Sequence, residues 1–112
     1  MIRLENITSE TRQRHFILFE EQEITFELYF LPQVESWFFN VEFNGKRRNG
    51  VRCALGTLHI TGANYPFDFA LTDLSGLGID PFKADDFEGG RCQIYMLEAD
   101  DMADYRGQEV QF

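Results

Sequence analysis

The side chains able to carry chemistry in this chain are few and badly spaced for it. Its two histidines, His15 and His59, both fall inside strand-like runs. Ser75, His59 and Asp73 can be combined on paper into a nucleophile–base–acid set. No strand–turn–helix signature frames Ser75, however, and the spacing offers nothing else that would hold such a triad. Both histidines therefore read as packed or surface residues. Two acidic groups, Asp80/Asp85/Asp86/Glu88 and Asp100/Asp101/Asp104, invite a hard-cation reading. Calcium loops need oxygen ligands at regular offsets around a turn glycine, and neither group has that register. Solvated loop carboxylates are the expectation, with no metal and no cofactor. The glycines at 76, 78, 89 and 90 lack the spacing and the following Lys-Ser/Thr of a phosphate cradle. Cys53 and Cys92, far apart in strand-like surroundings, read as two buried thiols rather than a disulfide. The one dense positive cluster is Lys46-Arg47-Arg48, expected at a hairpin tip and able to meet an acidic neighbour. An enzyme is the least supported class.

The elements that must position these residues are mostly strands. Ile24, Phe26, Leu28 and Phe30 alternate with Thr25, Glu27 and Tyr29, and Trp37, Phe39, Val41 and Phe43 alternate with Phe38, Asn40 and Glu42. Side chains two apart on a strand share a face, so each run offers one side a row of bulky apolar groups. Leu31–Ser36 connects the two runs as a hairpin loop. This hairpin is the expected heart of the core, with Phe67 and Phe69 from a later strand and Ile94 and Tyr95 from the last clear one. Shorter strands are expected over 13–19, 51–55, 57–62, 67–72, 91–97 and 109–112, with residues 1–12 an edge strand or a docking arm. Asn44-Gly45 is a type I′ turn signal. Leu74–Gly90 has no period and reads as a long loop with one helical turn near residues 84–87, and Glu98–Tyr105 as one or two helical turns. A loop of that length is generally functional or ordered by a partner. The expected architecture is one all-β domain over residues 1–112, a small antiparallel sandwich or partly closed barrel with at most one short C-terminal helical turn.

Composition narrows the partners. A net charge of -9 disfavours nucleic acid and anionic membranes, which are gripped by Lys and Arg. No signal pattern opens the chain, and no apolar run approaches a membrane span, so a soluble protein made in the cytosol is expected. Twelve phenylalanines exceed what one small core needs. Phe16, Phe19, Tyr29 and Phe38 are assigned to the second faces of strands whose first faces are already apolar, which implies a two-layer core, an exposed patch for another subunit, or both.

The order of these features resembles the small plug proteins of contractile-tailed phage baseplates, a family first recognised in a cyanophage tail. The matching pieces are Gln22–Phe30, Ser36–Val41 with its leading Trp37, Gly50–Arg52, Asp80-Pro81-Phe82 through Phe87, and Arg91–Glu98 with Tyr95. They run in order over roughly residues 13–104, and the match is loose between Gly56 and Tyr65. The resemblance implies a non-enzymatic virion component of the tail baseplate, assembled in the host cytoplasm. It also implies a homo-oligomeric set of copies packed against hub, tail tube and spike proteins. Contacts are then expected from Lys46, Arg47, Arg48, Asp80, Pro81, Phe82 and Phe87. The competing class is a small acidic inhibitor or nucleic-acid mimic that blocks a basic partner, although its carboxylates are spread through turns and interrupted at 46–48. A sugar-binding module using Trp37 as a platform is a third reading, opposed by Trp37's place in the alternating row.

Overall fold

A computed structural model describes residues 1–61 and 64–103. Seven strands form two antiparallel sheets: β1 (Ile2–Arg3), β2 (Arg12–Phe19), β3 (Gln22–Leu31), β4 (Ser36–Phe43), β5 (Lys46–Arg52), β6 (Asp68–Asp73) and β7 (Cys92–Leu97). One sheet has the order β2-β3-β4-β5 and the other β1-β7-β6. A parallel bridge from Leu55 to Leu71 joins them along one side. The other side, between β1 and β2, carries no ladder among the described residues. The domain is all-β, a two-layer sandwich that stops short of a closed barrel, with one helical turn over 99–103.

Turn chemistry sets the register of the larger sheet. Glu20 and Glu21 both take positive φ (49° and 66°) in a two-residue turn that pairs Phe19 with Gln22. Asn44 and Gly45 (54° and 82°) do the same and pair Phe43 with Lys46. Such turns match the strand twist and set the β2–β3 pairs throughout and the β4–β5 pairs as far as Val41–Arg48, beyond which a bulge shifts the register so that Phe39 faces Val51. In the middle hairpin Phe26 faces Val41, Leu28 faces Phe39 and Phe30 faces Trp37. Their inward sides meet β6 and β7: Phe26 lies 4.8 Å from Phe69 between ring centroids, Phe39 5.4 Å from Phe69 and Phe19 5.5 Å from Phe67. Tilted and edge-on pairs at these distances add to the apolar burial itself. Phe26, Leu28, Trp37, Phe39, Val41, Phe67, Phe69 and Ile94 are fully enclosed.

Several expectations need correction. Tyr95 is half-buried and lies outside the core, because the inward parity of β7 belongs to Cys92, Ile94 and Met96. Its hydroxyl donates to Gln93 Oε1 on the outer face at 2.7 Å. Phe30 points inward but sits at the sheet's end, only partly covered beside Trp37. Phe19 shares the inward parity of His15 and Ile17 and packs on Phe43, while Phe16 faces out. The strand after Asn44-Gly45 begins at Lys46 rather than Val51, since the tight turn puts the basic cluster straight into the ladder. Residues 57–61 form no strand; the buried Asp68 carboxylate accepts the N–H groups of His59 and Ile60 (2.8 and 2.9 Å), replacing ladder bonds. The terminal strand expected at 109–112 lies outside the described residues.

Candidate interaction surface

The long loop between β6 and β7 is tied from within. Asp86 is almost wholly buried and accepts the N–H groups of Phe82 (2.7 Å) and Lys83 (2.8 Å). Arg91 donates to the same carboxylate from Nε and Nη2, both at 3.0 Å, a planar two-point match. Burial works against the charge on Asp86, but the Arg91 bonds and the two amides outweigh it and hold its pKa at about 2. The Arg91 guanidinium also donates to the Ile79 and Asp80 carbonyls, pairs with Asp73 at 3.1 Å, and lies against the Phe82 ring. Asp73 in turn accepts the N–H groups of Ser75 and Gly78 (2.9 and 3.0 Å). Trp37 Nε1 donates to the Lys83 carbonyl at 2.9 Å, and Phe87 packs edge-on against the indole at 5.2 Å.

That geometry redistributes the expected contact residues. Phe87 belongs to the core, drawn in by the indole of Trp37. Pro81 is buried beneath the loop. Asp80 uses Oδ1 to accept the Leu55 N–H (2.8 Å) and Oδ2 to face Arg52 at 3.6 Å. Asp80 and Phe82 of this group stay partly open, Phe82 at a shallow depression shared with Phe30, Pro32, Glu35 and Lys83. Asp86, read as a solvated carboxylate, is a buried structural one; its partner Arg91 follows Gly90 and carried no sequence signal of that role.

The basic cluster lies along β5. Arg47 donates to Glu27 at 2.7 Å and lies 3.5 Å from Glu42, while Arg14 reaches Glu27 from β2 at 3.1 Å. These bonds from Arg47 and Arg14 keep the Glu27 pKa below its usual value against the opposing effect of burial. Lys46 reaches the Asn64 carbonyl at 3.4 Å, and Arg48 is exposed. The loop meets β5 at Arg52, not at residues 46–48, so the two predicted contact groups are not one surface.

His59 is a structural histidine. Its Nδ1 lies 2.7 Å from the Phe69 carbonyl, to which it donates, and its Nε2 accepts the Ala54 N–H at 3.0 Å. Both ring nitrogens are thereby occupied, and burial lowers the pKa. The Ser75–His59–Asp73 combination is not assembled, because Asp73 is engaged by Ser75, the loop amides and Arg91. No group of three or more His, Cys, Asp or Glu side chains among the described residues could hold a metal ion. Cys53 and Cys92 are free and buried; burial pushes both thiols up, Cys92 to about 11.

What remains open is apolar and lies at rims. Leu74, Leu77 and Ile79 stand out from the loop tip, Leu77 at 68% exposure. Leu31 and Val34 project from the β3–β4 connection. Phe16 and Leu18 lie on the outer face of the edge strand β2, 60% and 73% exposed. The sequence reading expected inter-chain contacts from the 74–90 loop without singling out Leu74, Leu77 and Ile79, three aliphatic side chains among Gly, Ser and Asp. Between these rims the outer face of the larger sheet is covered differently: Tyr29 stacks on Phe38 at 5.8 Å and Arg12 lies 4.6 Å over Tyr29. Comparison with protein-family models finds no match, and comparison with curated proteins finds no relative.

Proposed function

We propose that this chain is a non-enzymatic structural component of a phage tail baseplate, a plug-like protein packed in copies against hub, tube and spike proteins. The observation that carries the reading is the placement of exposed apolar side chains at the β2 edge and the tip of the 74–90 loop, outside a closed aromatic core. Isolated exposed leucines are ordinary, but grouped ones at an edge and a loop tip are suited to a protein partner. The internal ties from Asp73, Asp86 and Arg91 hold the loop in one shape, which lowers the ordering cost of docking it. Resemblance of the sequence to the plug proteins supplies the kind of assembly, and the virion is then the place of residence. Symmetric packing would use the same patch on every copy.

The inhibitor reading draws less support, because Asp68, Asp73 and Asp86 are spent on internal bonds and Glu27 is flanked by arginines. Leu77→Asp and Leu74→Asp test the proposal. Both side chains are exposed, so thermal stability should hold within about 0.5 kcal/mol, while incorporation into particles or binding to tail proteins should fall at least roughly tenfold. Unchanged incorporation would remove the loop tip from the interface.

A further inference from the structure

We propose that the outer face of the larger sheet, along β2, packs on the same face of a second copy of this chain in a two-fold, antiparallel contact. The inference adds an occupant for the β2 face and does not depend on the assembly proposal, since it needs only copies of the free chain. It starts from the order of side chains on one strand. Every second residue of β2 points away from the core, and the outward set reads Arg12, Arg14, Phe16, Leu18. All four are exposed, Phe16 at 60% and Leu18 at 73%. Glu23 of β3 pairs with Leu18, so its exposed side chain shares the face beside the leucine. Beyond that pair the hairpin closes through the exposed Glu20 and Glu21. The face therefore runs from two arginines, through two apolar side chains, to carboxylates.

A surface with that order is complementary to itself when turned round. Rotating a copy by half a turn about an axis in the face, crossing the strands at Phe16, reverses β2 and sets Phe16 on its own mate. Arg14 then falls opposite Leu18 and Glu23 of the second copy, and Arg12 opposite its Glu20–Glu21 turn. Each such contact occurs twice, as an isologous interface requires. Rotation about an axis along the strands would instead set arginine on arginine. Arginine suits the site because its stem covers apolar surface while its guanidinium grips a carboxylate. Arg14 is held by Glu27 at 3.1 Å with its side chain still 60% exposed, and Arg12 is seated 4.6 Å over the Tyr29 ring. Both are thus ordered before a partner arrives, which lowers the cost of docking.

Other occupants fit the face less well. A nucleic-acid strand would lay phosphates along Glu23, Glu27 and Glu42, which share the outward parity of the arginines, on a chain of net charge -9. A uniformly acidic protein would meet the same carboxylates. Only a partner that carries both signs in reversed order answers the whole face, and a second copy does. The sheet is four strands wide and β2 is 8 residues long. At the usual spacings that is about 19 by 26 Å, so two faces cover about 1,000 Å² in all. This lies at the low end for a specific contact, and the pairing is accordingly concentration-dependent.

Sedimentation equilibrium of the full chain over a range of concentrations tests the proposal, and a monomer–dimer equilibrium is expected. Phe16→Asp should weaken the dimer at least roughly tenfold. Arg14→Glu and Glu23→Arg should each weaken it by a similar factor, and the two together should restore it. Within one copy Arg14 pairs with Glu27, four residues along β3 from Glu23. That separation is about 13 Å, so recovery in the double variant cannot arise inside a single chain. Circular dichroism checks the fold of each variant, and Phe16→Asp with Glu23→Arg carries the test should Arg14→Glu fold poorly without its bond to Glu27. A monomer up to about 1 mM would overturn the proposal, as would a closed ring of more than two copies or a dimer that these changes leave intact. Single changes that weaken the dimer without recovery in the double variant would overturn the antiparallel alignment. A monomer that binds oligothymidylate or poly-L-glutamate, and loses that binding with Arg14→Glu, would give the face to another occupant and overturn the proposal too. A chain that stays monomeric yet joins tail proteins through the loop tip would overturn this inference and leave the assembly proposal standing.

Discussion

Replacing Asp86 by alanine should destabilise the domain by about 3 kcal/mol, and the structure supplies the number in two ways. Asp86 is 4% exposed and its carboxylate accepts bonds from two amides and two guanidinium nitrogens. Its pKa falls from the ordinary 3.8 to about 2, which at about 1.4 kcal/mol per tenfold change in proton affinity is on the order of 2–3 kcal/mol. Independently, removing one partner of a buried ion pair costs about 3–5 kcal/mol, because the other is left uncompensated. Arg91 keeps Asp73, which puts the expected loss at the lower end. For a domain of this size each kcal/mol shifts the melting temperature by about 4–8 °C, so a fall of about 12–24 °C is expected. Thermal unfolding followed by circular dichroism measures it. Tryptophan fluorescence should change with it, since the indole of Trp37 bonds to Lys83 next to the lost contacts.

The pH dependence has a fixed sign. A carboxylate depressed in the folded state stabilises fully above its unfolded pKa and loses that contribution as pH falls through the folded value. The gap between the two proteins should therefore narrow between pH of about 4 and about 2. A variant within about 1 kcal/mol of the parent near neutral pH, or a gap that stays constant down to pH of about 2, would refute the reasoning.

Gly89→Ala should cost roughly 1–3 kcal/mol in chemical denaturation, because an added Cβ meets the Asp85 carbonyl oxygen at 2.8 Å. Glu21→Gly should stabilise the β2–β3 hairpin by about 0.5–1 kcal/mol by relieving a non-glycine residue at positive φ. Burial lowers the His59 pKa from the ordinary 6.5, outweighing the opposing effect of its bond to the Phe69 carbonyl and of the nearby Asp68 and Asp80 charges. Its contribution is thus complete above pH of about 6.5 and shrinks as pH falls below it; a His59→Gln variant should show a flatter stability profile over that range. Iodide should barely quench Trp37, which is fully buried; efficient quenching would return Trp37 to the role of a sugar platform.

Strand alternation made the middle hairpin and its aromatic face readable from sequence, because a period of two leaves little choice of which side is buried. Asn44-Gly45 was legible for the same local reason. Lys46-Arg47-Arg48 was placed at a tip because charge was weighed above the register that this turn imposes. Tyr95 was misplaced because its aromatic ring outweighed the parity of Cys92, Ile94 and Met96. Asp86, Asp68 and Arg91 were opaque for a deeper reason. Their roles depend on pairings that only the assembled loop creates, and an Asp in a turn looks the same in sequence whether solvated or enclosed. The exposed rims, too, are defined by what the fold leaves uncovered.

Mass in solution tests the assembly claim most directly. Light scattering on the purified full chain, alone and mixed with tail hub, tube and spike proteins, should show a defined oligomer or a complex formed with one of them. Leu77→Asp should weaken that species. A monomer at every concentration that joins none of these proteins would contradict the account.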